Sequence, residues 1–92
     1  MEELFEYKIE DEKVCIIKYL GSSKEVVIPE KIEGCSVTGI GNWAFSYNNN
    51  LTSINLKGVK SIGHWVFYNN NLTSVDLKGV ESIGGYAFSN NN

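Results

Sequence analysis

One histidine, two cysteines and eleven carboxylates are the residues of this chain that could carry acid–base, nucleophilic or metal chemistry. A general base needs an orienting partner and a nucleophile within hydrogen-bond reach. Nothing in the sequence supplies these to His64, whose counterparts in two other copies of a repeat are Asn42 and Gly85, so it reads as a surface residue on a loop. Cys15 and Cys35 form no C-x-x-C pair and have no histidine at metal spacing. They read as two small core residues, the alternative being one disulfide tying the N-terminal part together in an oxidising compartment. Gly39-Ile40-Gly41 lacks the third glycine and the long helix of a nucleotide fingerprint. The carboxylates are scattered and no metal-ligand spacing occurs. The reading is therefore of a chain that is not an enzyme, with no cofactor and no metal.

Two sets of residues could instead bind. Trp43, Trp65 and Tyr86 fall in register, one before each apolar pair. They are either partly buried along an outer edge or an exposed aromatic stripe that grips a protein or a glycan. Ser53, Asn55 and Lys57 recur as Ser74, Asp76 and Lys78 on what reads as a strand face. Such faces bind in repeat proteins, though this one is short against the ~800 Å² per partner of a standard interface. Asn50-Leu51-Thr52 and Asn71-Leu72-Thr73 match the glycosylation pattern. Their recurrence follows from the repeat, and an inward-facing Asn at the start of a strand is the favoured reading.

The elements that position these residues come from a repeat. Leu51 to Asn71 reads LTSINLKGVKSIGHWVFYNNN and Leu72 to Asn92 reads LTSVDLKGVESIGGYAFSNNN, a period of 21 residues. A degenerate copy, Glu25 to Asn50, shares the end Ile40 to Phe45 and the start Val26-Val27-Ile28, with a longer middle in which Pro29 and Gly34 mark an extended turn. Within a copy, Ile54 and Leu56 alternate with Ser53 and Asn55, as in a half-buried strand. Lys57-Gly58 turns the chain, with Gly58 and Gly79 suited to positive φ. Val59 and Ile62 re-enter the core. His64 to Phe67 is expected to form one helical or 3₁₀ turn.

Stacking one strand per repeat predicts a parallel sheet and columns: Leu51 over Leu72, Ile54 over Val75, Leu56 over Leu77, Ile62 over Ile83, and Phe45, Phe67 and Phe88 together. One Asn of each run is expected to turn inward and satisfy backbone groups of its own and the adjacent coil. Phe5 to Ile9 and Lys13 to Tyr19, joined at Glu10-Asp11-Glu12, read as a β-hairpin that caps the first layer. The expected divisions are 1–23 for the cap, then 24–50, 51–71 and 72–92 for the repeats. The last layer (Leu77, Val80, Ile83, Phe88) is expected to have an open side, which suggests a fragment of a longer array, self-association there or fraying of the last repeat.

The 92 residues suffice for one domain, and 42% hydrophobic content fits a folded one. Net charge −3, with both signs interspersed, argues against nucleic acid and anionic membrane surfaces. No apolar run is long enough to span a bilayer, and Met1 to Glu6 does not open a signal peptide. The chain as given thus reads as cytoplasmic or as having lost an export signal.

The L-x-x-I-x-L of Leu51 to Leu56, the Ser-Ile-Gly step, Ala44-Phe45, Ala87-Phe88, and Val27 to Gly34 followed by Val37 to Gly41 resemble the BspA-like leucine-rich repeats over residues 5–92. Lys57 and Lys78 stand where that family often has Pro, and Asn where it often has Cys. The resemblance implies an α/β leucine-rich-repeat solenoid with short parallel strands, and a location at the cell surface or outside the cell. It implies a non-catalytic, adhesion-like module binding protein or glycan, the alternative being a structural capping or self-associating piece with no ligand of its own.

Overall fold

The structure is a computed structural model and describes residues 5–47, 50–89 and 91, so Asn48, Asn49, Asn90 and Asn92 of the Asn runs lie outside the described residues. The chain opens with two antiparallel strands, β1 (Phe5–Glu10) and β2 (Lys13–Tyr19). Their two-residue turn places Asp11 and Glu12 at φ 53° and 64°, the geometry of the tight turn that follows the twist of a hairpin. β2 then pairs in parallel with β5 (Cys35–Ile40), so the hairpin is also the first rung of the solenoid.

Each coil contributes two strands to two sheets. One sheet holds β3 (Glu25–Val27), β6 (Ser53–Asn55) and β8 (Ser74–Asp76), all parallel. The other runs β1-β2-β5-β7-β9, where β7 is Ser61–Ile62 and β9 is Ser82–Ile83. The expected single sheet is corrected to two. The segment that brings Ile62 back to the core is itself extended and laterally hydrogen-bonded. The long middle of the first copy is a hairpin in which β4 (Lys31–Ile32) pairs with β5 across Glu33 and Gly34, both at positive φ. In the turns after β6 and β8, Gly79 takes positive φ as expected, but in the earlier coil Lys57 does so and Gly58 does not.

The expected helical or 3₁₀ turns are not there: the described residues contain no helix. Hydrogen bonding supplies the reason. A helix spends its amides within itself. Here alternate amides reach across to the next coil: Trp43, Phe45 and Tyr47 donate to the carbonyls of His64, Val66 and Tyr68 at 3.1, 3.0 and 2.8 Å. Trp65, Phe67 and Asn69 donate in the same way to Gly85, Ala87 and Ser89 at 3.1, 2.7 and 3.0 Å. Left-handed backbone at Trp43, Trp65 and Tyr86 aims these groups along the solenoid axis.

The core is a stack of columns. Ile54 pairs with Val75 and Ile62 with Ile83 in register. Tyr19, Phe45, Phe67 and Phe88 form an inner aromatic column with centroid spacings of 5.0, 5.5 and 5.1 Å, and Phe5 closes its N-terminal end 5.5 Å from Tyr19. The Ser-Ile-Gly step is explained by close approach, because a β-carbon on Gly84 would lie 2.5 Å from the Gly63 carbonyl carbon. The expected Asn ladder is present where it is described. The Asn70 side chain is buried and its Nδ2 donates to Phe45 O at 2.8 Å. Asn91 Nδ2 donates to Phe67 O and Phe88 O, and its Oδ1 accepts from Leu72 N–H at 2.8 Å.

Burial falls along the columns: Leu56 is 1% exposed and Leu77 38%. Leu56→Ala should therefore cost about 2–5 kcal/mol in urea unfolding, and Leu77→Ala less than about 1 kcal/mol; equal losses would contradict this layering. Asn70→Ala should cost about 1–3 kcal/mol by the same measurement, because it strips the buried Phe45 carbonyl of a donor.

Candidate interaction site

The turns at 42–47, 64–69 and 85–89 form one side of the solenoid and carry a second, outer aromatic column. Trp43 and Trp65 stack with centroids 5.2 Å apart and planes 3° from parallel. Trp65 and Tyr86 stack at 4.5 Å and 17°. Tyr68 stands at right angles to both indoles, 5.0 Å from Trp65 and 6.1 Å from Trp43, and Tyr47 at right angles to Tyr68 at 5.3 Å. Trp43, Tyr47 and Tyr86 are 45%, 61% and 66% exposed, while Trp65 and Tyr68 are half-buried. The structure thus brings all three residues of the expected stripe into contact. It adds Tyr47 and Tyr68, which a search for a single register position missed.

These rings sit on unusual backbone. Trp43, Trp65 and Tyr86 have φ of 67°, 62° and 58°, and Tyr47 has 62°. Left-handed backbone is uncommon for residues bearing a β-carbon and disfavours bulky side chains. The turn side is also free of formal charge. No Lys, Asp or Glu lies between Gly34 and Leu56, between Ser61 and Val75, or after Glu81. Charges that looked interspersed along the chain are segregated once it coils, to the hairpin, the strands and the turns between the sheets. The gaps between charges were readable in the sequence, but only the coiling superimposes them.

The strand strip is also assembled. The register sets Ser53 beside Ser74 and Asn55 beside Asp76. Their side chains are partly committed to the fold, since Asn55 Oδ1 accepts from Lys57 N–H at 3.0 Å and Asp76 Oδ1 from Lys78 N–H at 2.9 Å. These turns favour Asn and Asp for local reasons. Lys57 and Lys78 are exposed.

His64 is exposed but is not a plain loop residue. Its amide donates to Asn42 Oδ1 and its Nδ1 accepts from Gly85 N–H, both at 2.7 Å. Asn42 and His64 are successive rungs of one ladder, and the shared trait that could have shown this is a side-chain acceptor at the same register. The inward-facing Asn expected at Asn50 and Asn71 is corrected: both are exposed, and the buried Asn is Asn70, one position before Asn71. Thr52 and Thr73 hydroxyls donate to the carbonyls of Lys24 and Thr52 on the preceding coil.

A groove of about 300 Å³ lies between the hairpin end and β5, lined by Lys8, Glu10, Lys13, Cys15, Thr38 and Ser61 among others. Among the described residues, no group of three His, Cys, Asp or Glu side chains could hold a metal ion. Cys15 and Cys35 are free and half-buried. Burial pushes the Cys15 thiol above its ordinary range, with nearby Lys8 opposing and Glu10 reinforcing the shift. The thiolate is the reactive form, so a raised pKa leaves less of it at mildly alkaline pH. In a Cys35→Ser variant at about pH 8, Cys15 should alkylate with iodoacetamide more slowly than free cysteine, whose pKa is about 8.5. A rate equal to or above that of free cysteine would contradict the buried environment.

Over residues 17–92 the chain matches the family model described as BspA type leucine rich repeat region (6 copies). The crystal structure of a leucine-rich repeat protein from T. pallidum superposes with a TM-score of 0.86 at 25% identity, over 98% of this chain and 44% of that one. The chain therefore spans less than half the length of that protein. No curated protein matches it. Among the described residues, no helix is long and apolar enough to cross a membrane. Repeats of this kind generally serve in protein interaction, commonly in surface or secreted proteins. With its stacked coils, its two sheets joined from coil to coil by parallel strands, and its Ser-Ile-Gly steps, the chain belongs to the BspA-type leucine-rich repeat family.

Proposed function

We propose that the chain is a non-catalytic, adhesion-like module that engages a partner protein through the outer aromatic column of its turn side. The observation that carries this reading is the exposure of Trp43 and Tyr47 on a face with no formal charge. Interface centres are enriched in Trp and Tyr and depleted of charge, because aromatic area is cheaply desolvated and charge is not. Tyr, Trp, Ser and Asn together are also the composition of antibody paratopes. The strand strip ranks second. Asn55 and Asp76 already hold their own turns, and Lys57 and Lys78 place like charges one coil apart. The family's common presence in surface or secreted proteins suits a module that meets other proteins outside the cell.

The test is selection of binders from a displayed random-peptide library by the whole chain. Changing Trp43 and Tyr86 together to Asn, a residue that tolerates left-handed backbone, should weaken the selected binders roughly tenfold or more, the loss expected for contact centres. A variant carrying Asp76→Asn and Lys78→Ala, which keeps the turn acceptor, should leave them unchanged. Binding lost only in the strand-face variant, or the absence of any binder, would overturn the proposal.

A further inference from the structure

We infer that the outer column takes an uncharged, proline-bearing extended segment of its partner protein, held by ring packing and by hydrogen bonds to the segment's carbonyls rather than by ion pairs. This inference rests on the reading of the column as the interaction surface and specifies what fits it.

Ring spacing bars insertion into the stack. Centroids 5.2 and 4.5 Å apart leave only one ring thickness between rungs, so neither a sugar nor a base slides between them. Both faces of Trp65 are taken, by Trp43 on one side and Tyr86 on the other. A pyranose that stacks through its C–H face needs an open ring face, and the interior rung offers none.

Ring orientation supplies the positive case. Trp43, Trp65 and Tyr68 form a near-equilateral triangle of centroids with sides of 5.2, 5.0 and 6.1 Å. Tyr68 therefore stands beside the indole stack at right angles to it, and Tyr47 repeats the right angle against Tyr68 at 5.3 Å. Successive perpendicular rings make corners, and a pyrrolidine ring packs into such aromatic corners without bringing a donor that must be satisfied.

Hydrogen-bond supply points the same way. The amides of residues 43, 45, 47, 65, 67 and 69 are consumed between coils. The donors the column itself carries are indole N–H and phenol O–H groups. A polyproline II segment presents carbonyl acceptors with few donors and loses little conformational entropy on docking. The turns themselves carry no Lys, Asp or Glu to pair with a charged segment.

The test measures fluorescence anisotropy of a labelled decaproline peptide with the whole chain, at about 50 mM and about 500 mM salt, a range over which ionic contacts are strongly screened. Decapeptides alternating Lys-Ser or Glu-Ser and neutral cellohexaose serve as competitors. Two single variants remove rings while suiting the backbone, Trp43→Asn and Tyr47→Asn; the coil-equivalent of Tyr47 is Asn69, at φ 63°. Circular dichroism melting confirms that each variant folds. The expected result is saturable decaproline binding that changes less than about twofold with salt, falls roughly tenfold in each variant, and resists all three competitors. Better binding of a charged peptide, displacement by cellohexaose, or binding indifferent to both variants would overturn the inference. If decaproline does not bind while library-selected peptides still depend on the column, the partner chemistry is wrong and the interaction reading stands. If nothing depends on the column, both fall.

Discussion

Everything in this molecule depends on how closely one coil lies on the next. At Gly63 and Gly84 a β-carbon would meet the backbone of the preceding coil at 2.9 and 2.5 Å, so these positions admit only glycine without a shift. That approach puts amides and carbonyls of adjacent coils in hydrogen-bond range on every side, in both sheets and in the turns that belong to no sheet. Layers that near to each other also stack like side chains on like. The inner Tyr19-Phe45-Phe67-Phe88 column and the outer Trp43-Trp65-Tyr86 column are two consequences of one spacing.

Close stacking leaves polar groups at the corners that neither sheet nor core can satisfy, and short side chains do that work. Asn70 and Asn91 bond the carbonyls of the preceding coil, as do Thr52 and Thr73. Asn42 and His64 accept from amides of the following coil, while Asn55 and Asp76 hold their own turns. Few of these bonds are worth much alone, because each exchanges for water. Their common effect is to fix the register of each coil on the next, which sets the outer rings one above another.

The part of this that was legible in the sequence is the part with a period. Leu, Ile and Phe recurring every 21 residues announced the columns, and the Asn runs announced a ladder, because burial constrains residue type at every copy. Two things carried no such signature. His64 to Phe67 is too short a stretch for periodicity to separate a helix from an irregular turn. The deciding fact, that its amides serve the neighbouring coil, is a long-range one. Ser61-Ile62 is likewise too short to declare itself a strand until its partner at Gly39-Ile40 is in place. The aromatic stripe was legible as a register but not as a surface, because Trp is equally at home buried or exposed. Tyr47 and Tyr68 joined it only through the geometry of the turn.

The division between the two aromatic columns is where fold and proposed function separate. The inner and outer rings are two residues apart in each coil, at 43 and 45, 65 and 67, 86 and 88, and the backbone between them passes through left-handed φ at the outer position. For a residue with a β-carbon that conformation costs roughly 1–2 kcal/mol, and glycine would meet the backbone requirement without it. The inner ring repays its place by filling the core. Burial does not explain the outer ring at Trp43, which keeps close to half of its surface in water. Stacking returns some of that energy, because aromatic pairs contribute about 0.5–1.5 kcal/mol beyond their area. The same return would be available to aromatic rings on unstrained backbone. What the left-handed turn adds is direction: it holds the outer rings away from the core on a side without charge. That is the arrangement a surface meant to be desolvated by a partner requires.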